Sequence, residues 1–452
     1  MGEYMTELRQ ARAVLVALFA TLFVVPMLDR AAGQEGGLQD RLRFFPDCEA
    51  DRKPGEIDTS RPILVKNPQQ LKAESLPARR YHLGIYYKPC VVQLPNQELR
   101  LTARHKYPHY NESECEHPIF SSRDGGLTWS QFALVPDLII GEPFVTVLSD
   151  GTMLMAGSHF RGEKTYRLRS EDGGRTWSKP ESGGDHGFVT TFNVLELADG
   201  SLMIGRGGGG GRGFIWRSFD GGRNWTEKYP ARFEGLPENL PALYMEWVWG
   251  ETHLFQAKSG KIFAVLRVDE QKYPPISRSP HPTPEWVSLV GDESHRMILY
   301  GSTDLGKTWK LVSNEFGDYG QHYPSILRLK DGRLLLTFTA RHPIPHETGL
   351  VGALAVLGVE DPDGIRFDFD HDVLILDARR PFCRQPFKKG DPWVWNPRGA
   401  AGFSPTVQLD DGTLVTAYSY RTGTSDDADQ SRYEPLHTEI VRWRLPETDN
   451  SE

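Results

Sequence analysis

Short apolar runs flank a tight polar turn again and again along this chain. FNVLELADGSLMIG from Phe192, HLFQAKSGKIFAVLR from His253, YPSILRLKDGRLLLTF from Tyr323 and FSPTVQLDDGTLVTAY from Phe403 share the pattern. PFVTVLSDGTMLMAG from Pro143 is a fifth copy, and YKPCVVQLPNQELRLTAR from Tyr87 is a sixth that has lost its glycine. Two β-rich runs around Asp-Gly or Ser-Gly are a hairpin signal. Most hairpins are followed by a further strand pair, so six four-stranded units are expected at roughly 50–80 residue spacing. The fold class this predicts is all-β: a six-bladed β-propeller of four-stranded blades. No long amphipathic helical pattern interrupts it. The alternating HTEIVRWRL from His437 is expected to close the ring by pairing with an early strand, such as residues 61–66.

A second repeat interleaves with the first. SRDGGLTW at 122–129, SEDGGRTW at 170–177, SFDGGRNW at 218–225 and STDLGKTW at 302–309 follow S-x-D-x-G-x-[TN]-W. A weak fifth copy, EDPDGIRF, lies at 360–367. The Asp is expected to accept backbone N–H groups of its own turn, the Gly to supply positive φ and the Trp to pack on neighbouring strands. Calcium would need more oxygen ligands than one Asp and one Ser per copy. The octapeptide therefore reads as structural.

The N-terminal stretch departs from this pattern. Arg9 and Arg12 precede an apolar run at 13–28, and Ala31, Ala32 and Gly33 follow. That order is a secretory signal with cleavage near Gly33–Gln34, and the run is short for a membrane span of about 20 residues. The expected organisation is 1–33 signal peptide, 34–80 a segment leading into the propeller, 81–446 the propeller and 447–452 a tail. An exported location follows: periplasmic, extracellular or cell-surface. The net charge of −8 over 452 residues argues against a nucleic-acid partner. Cys48, Cys90, Cys115 and Cys383 form no C-x-x-C pair, which leaves buried thiols or one structural bridge open.

S-x-D-x-G-x-T-W resembles the Asp box of the sialidase (neuraminidase) superfamily, and the likeness runs over about residues 87–445. In that family the boxes lie away from the active site. The resemblance implies three carboxylate-binding arginines, a Tyr–Glu nucleophilic pair and an aspartic acid/base. Lys88, in Tyr87-Lys88-Pro89, takes the place of the first arginine, keeping the charge without the bidentate fork. Glu251 and Arg267 match the family's blade-four pair. Phe403 stands where the family has its tyrosine, the third arginine has no clean match after Arg341, and the acid/base loop carries Glu112, Glu114 and Glu116 but no Asp.

The site can also be read from propeller geometry. The start of an inner strand and the end of the second strand share one face, and the octapeptide turns lie at the other. Arg104, Arg267, Arg341 and Arg421 end second strands at odd offsets from their turns, which aims them to the same side. Together they suit a carboxylate, sulfate or phosphate; the alternative is that each pairs with an acid of a neighbouring blade. Arg161 and Arg206 have even offsets and point elsewhere. Inner-strand starts add Glu142, Asn193, Glu251, His322 and Tyr323. His105, His159 and His342 end second strands. Histidines at one face can serve as acid or base, and Tyr323 as an alternative nucleophile.

Glu251 beside Arg267 is expected to be ionised and to act as base or activator, with Glu142 or Glu114 as proton donor. Trp247, Trp249, Trp393 and Trp395 are placed to stack on sugars. GRGGGGGRG at 205–213 lacks the Lys-Ser/Thr of a phosphate loop and reads as a flexible loop at the site-bearing face. The functional expectation is an exported glycoside hydrolase acting on an acidic glycan or glycoconjugate. A non-catalytic carbohydrate-binding propeller and a uronate-directed lyase are the alternatives. No cofactor, no metal and no stable membrane span after cleavage are expected.

Overall fold

The computed structural model describes residues 55–57, 63–66, 72–104, 117–135, 144–158, 165–182, 191–208, 212–235, 251–269, 295–317, 320–341, 351–362, 364–377, 400–401, 405–421 and 436–446. Among the described residues there is no helix, and the strands pair into small antiparallel sheets arranged as in a propeller.

Unit one runs Tyr87–Gln93, Leu99–Arg104, His117–Ser122 and Ser130–Val135. Unit two runs Phe144–Val147, Met153–Ser158, Thr165–Ser170 and Glu181–Ser182. Unit three is Leu195–Glu196, Leu202–Gly208, Arg212–Ser218 and Glu227–Glu234; unit four is His253–Gln256, Ile262–Asp269, His295–Ser302 and Thr308–Phe316. These two merge into one eight-stranded sheet because Glu227–Glu234 pairs in parallel with Thr308–Phe316. Unit five is Gln321–Arg328, Leu334–Arg341, Val351–Asp361 and His371–Asp377, extended at its edge by Ile63–Lys66 and Lys72–Ser75. Unit six is Thr406–Gln408, Leu414–Arg421, Leu436–Trp443 and Ala78–Ile85, with Gly55–Ile57 outermost.

The strand from Leu436 does pair with an early strand, but a different one from that expected. Ala78–Ile85 takes the place beside it, in register from His437↔Ile85 to Trp443↔Ala78. Ile63–Lys66 instead pairs with His371–Asp377. Arg80 and His82 of Ala78–Ile85 are buried against Glu439 and His437, which fits this pairing.

Apolar side chains at alternate strand positions collect into six buried clusters, each between successive units. Val145 and Met153 of unit two face Val92 and Ile119 of unit one. The sixth cluster puts Val415, Ala417 and Ile440 of unit six against Val91, Leu99 and Leu101 of unit one. A fully buried Leu, Ile or Phe contributes about 1.5–3 kcal/mol. One such cluster therefore outweighs any single polar contact between units, and the polar contacts set position.

All four octapeptides adopt one turn. The Ser hydroxyl donates to the Asp Oδ1 and accepts the N–H of the residue four further on, as in Ser170, Asp172 and Gly174. Asp172 Oδ1 also accepts the Thr176 N–H at 2.9 Å, and Trp177 donates Nε1–H to the Gly174 carbonyl at 3.1 Å. Gly125, Gly173 and Gly221 have φ near +68°, where a Cβ is costly; Leu305 holds the same slot at +59°. EDPDGIRF departs from the motif. It turns between Val351–Asp361 and Gly364–Phe367, and Glu360 instead accepts from the Lys258 N–H of unit four and from Arg328 of its own unit five. The described ends of the glycine run belong to a hairpin, with Gly207↔Gly213 and Gly208↔Arg212 paired, while 209–211 lie outside the described residues.

Candidate active site

The inner strands surround a cavity of about 500 Å3 lined from every unit, including Cys90, Phe144, Asn193, His253, Tyr323 and Thr406. Two of these strands begin with a break in the ladder. Pro89 and Pro324 cannot donate to a sheet, and the register shifts between Tyr87 and Cys90 and between His322 and Ser325. The residue before each proline is left-handed, Lys88 at φ +50° and Tyr323 at +59°, although a following proline favours extended backbone, so both positions are strained. Glu251, at the start of unit four, has φ +53°. The remaining described non-glycine residues with positive φ, Gln97 and Leu305, lie in turns. Strain of this kind collects where side chains must be presented in a fixed direction.

Those strained positions converge. Glu251 is buried and its Oε1 lies 2.6 Å from Arg267 Nη1, at the end of unit four's second strand. His322 Nδ1 lies 3.7 Å from Glu251 Oε2. The Lys88 ammonium sits 5.0 Å from the centre of the Tyr323 ring, and His322 stacks on Tyr323 at 4.6 Å. Burial alone would raise the Glu251 carboxyl, but Arg267, with His322 and Lys88 beyond it, holds it well below the usual carboxylate range. Lys88, Arg104 and His322 are themselves buried. The result is one ionised carboxylate among cations at the expected face.

The other expected residues divide. Arg104 ends its strand opposite Tyr87, one residue from Lys88. Arg341 and Arg421 end their second strands, paired with Val351 and Leu436. Asn193, expected to bind substrate, lines the cavity and also clips units three and four together. Its Oδ1 accepts the Leu254 N–H and its Nδ2 donates to the Leu254 carbonyl, both at 2.8 Å. Tyr323 belongs to an apolar cluster with Cys90, Phe144 and Phe192, stacked on Phe192 at 5.8 Å. Glu114, Glu142 and Phe403 lie outside the described residues, as do Glu112, Glu116, His105, His159, Arg161, His342 and the four loop tryptophans. Arg206 does turn away from the cavity, onto Trp216.

Several buried polar groups escaped the sequence reading. His253, held at a pKa of about 4 by burial against a backbone bond with Ile326, joins units four and five. Behind Lys88, Arg80 and Tyr420 both bind Glu439, and His82 Nε2 meets His437 Nδ1 at 3.0 Å. The signal was present as charge at alternate positions in Arg80/His82 and His437/Glu439. Cys90 is a buried free thiol pushed up to about 11, which makes it inert. Among the described residues no group of His, Cys, Asp and Glu could hold a metal.

The fold is that of a sialidase-like β-propeller. At TM-score 0.51 and 13% identity it is similar to the intramolecular trans-sialidase from Ruminococcus gnavus, solved with oseltamivir carboxylate, over 80% of this chain and 94% of that one. It is similar to NanB sialidase from Streptococcus pneumoniae at TM-score 0.50 and 12% identity, over 79% of this chain and 68% of that one. A protein of unknown function from Dyadobacter fermentans gives TM-score 0.52 and 18% identity over 87% of this chain and 100% of its own. No protein-family model and no curated protein matches the chain.

Proposed function

We propose that this protein is an exported, six-bladed sialidase-like glycoside hydrolase that acts on an acidic glycan. Six clusters between successive units, and a cavity lined from all six, support the blade count. The observation that carries the function is Glu251, buried and ionised between Arg267 at 2.6 Å and His322 at 3.7 Å on strained backbone. An ionised, buried carboxylate suits a base or nucleophile activator. Lys88 and Arg267, the cations acting on Glu251, give this cluster a positive field that draws a carboxylate or sulfate. His322 is the neighbouring imidazole, with Nδ1 3.7 Å from Glu251 Oε2. Tyr323, beside it, supplies the hydroxyl. Export rests on the N-terminal charge and apolar pattern, and amino-terminal sequencing of the secreted protein tests cleavage near Gly33.

The test is a screen of purified protein on sialosides, uronides and sulfated glycans, with Glu251→Gln in parallel. Turnover of one class, lost by about 100-fold or more in Glu251→Gln, is the expected result. Binding without turnover by the wild type sinks the hydrolase reading and leaves a carbohydrate-binding propeller. An unsaturated uronide product would instead mark a lyase.

A further inference from the structure

Between units two and three, away from Glu251, three cations crowd one indole. Arg206 lies 4.5 Å from the centre of a Trp216 ring, Arg167 at 5.3 Å and the exposed Lys228 ammonium at 3.8 Å. The ladder dictates this. Ile204↔Trp216 and Trp216↔Lys228 are direct partners, and Arg206 lies two residues beyond Ile204, so all point to one face of unit three. That face packs on Leu154 and Ala156 of unit two, whose next strand delivers Arg167.

Other arginines here are matched. Arg169, two residues along, donates to the Gly221 carbonyl, to Glu171 and to Thr152. Arg217 meets Asp199 and Glu227. Arg167 differs: its Nε and Nη1 are buried and donate no hydrogen bond. Burial weakens its hold on its proton, with Glu181, its exposed strand partner, as the acid acting against that. An indole face attracts a cation but cannot accept from two buried guanidinium N–H groups. A negatively charged oxygen ligand at this seam would offset that cost.

We propose that this seam, where Arg167, Arg206 and Lys228 surround Trp216, is a second binding site that takes a sulfate- or carboxylate-class oxyanion. Lys228 forms its exposed rim, with Arg167 and Arg206 deeper in the seam. With three cations close to the indole, the site reads the charged substituent and not a sugar ring. The proposal does not depend on the reading of the Glu251 cluster.

Thermal unfolding and calorimetry of the whole chain with sodium sulfate, against sodium chloride at matched ionic strength, test it. Sulfate is expected to raise the wild-type Tm beyond chloride, and Arg167→Met to remove the part of that increment that saturates with sulfate at this seam, leaving sulfate's general exclusion effect. Without sulfate, Arg167→Met should unfold at the wild-type temperature or above. A purely structural cation–π stack predicts a drop instead. Lys228→Ala, at an exposed position, should weaken sulfate binding by about tenfold, the loss of one charge-assisted contact. Arg267→Met should leave the increment in place. A sulfated oligosaccharide binding more tightly than inorganic sulfate, with its desulfated form silent, identifies the anion as a glycan substituent; equal affinity identifies a free ion. Equal Tm values in sulfate and chloride, or an increment that survives Arg167→Met and disappears in Arg267→Met, overturn the proposal.

Discussion

Arg442, in the last strand, donates its Nε–H to the carbonyl of Gly125, in the first octapeptide, at 2.7 Å. The same carbonyl position is used at three more seams. Arg100 donates to Gly173 at 2.8 Å, Arg169 to Gly221 at 3.3 Å and the Tyr229 hydroxyl to Leu305 at 2.6 Å. Each turn thus exposes one carbonyl as a socket for the preceding unit. The octapeptide is more than a local turn: it aligns neighbours that apolar burial alone would let slide.

Arg442→Met keeps the apolar stem and removes the donor, leaving the Gly125 carbonyl without this partner. A loss of about 1–2 kcal/mol is expected, read as a lower urea midpoint with an unchanged slope. A midpoint equal to wild type would show that the closing hydrogen bond contributes nothing.

Leu305→Gly should stabilise. Leu305 sits at φ +59° in a slot that its three counterparts fill with glycine, and it is exposed. Relief of about 1–2 kcal/mol of left-handed strain is partly offset by the greater freedom of glycine in the unfolded chain, about 0.4–1 kcal/mol. A net gain of about 0.5–1 kcal/mol should appear in equilibrium denaturation, with the Tyr229 contact intact because it uses the backbone.

The octapeptide aspartates set the acid limit. Asp220 is held at about 2 by the Asn224 N–H, then by the Asn224 side chain and Ser218. Burial would raise Asp124, Asp172 and Asp304, but the hydrogen bonds of their own turns override it and lower them. A carboxyl depressed on folding contributes stability that is full above its unfolded pKa of about 3.9 and is lost as pH falls through the folded value. The urea midpoint should therefore be insensitive to these groups near neutrality and fall below about pH 4. Asp220→Asn should be less stable at pH 7 and show a shallower decline. Identical slopes in the two proteins would remove Asp220 from the account.

The periodicity of two exposed the hairpins, and the recurring octapeptide exposed their grouping, because both are local. FNVLELADGSLMIG needs no distant partner to be a hairpin. The closing strand was misplaced at 61–66 because 63–66 and 78–85 are both short β-rich runs, and only distant Glu439 and His437 select Arg80 and His82. Glu251 and Arg267 were legible as the two ends of one hairpin. The pairing of Glu251 with His322 was not, since it joins units four and five across the cavity. The clip that Asn193 makes was not legible, because its Leu254 partner lies 61 residues away. The left-handed backbone at Lys88 and Tyr323 was not legible, because a following proline favours an extended residue before it.

The central prediction concerns Glu251 and Arg267 as a pair. Glu251→Gln leaves Arg267 partly buried with its carboxylate partner gone and Lys88 and His322 unscreened beyond it. Because Arg267 keeps 21% exposure, the cost should fall below that of a fully buried broken pair, at about 2–4 kcal/mol. Glu251 is depressed on folding, so this difference should be full at neutral pH and shrink as pH falls below its unfolded value of about 4.3. Arg267→Met alone should also destabilise, since it leaves a buried carboxylate facing only His322 and Lys88. The double substitution should recover much of the lost stability and none of the turnover. That separation of stability from turnover is what a functional carboxylate predicts. Turnover restored in the double variant would make the pair a structural bridge and move the search for the base elsewhere in the cavity.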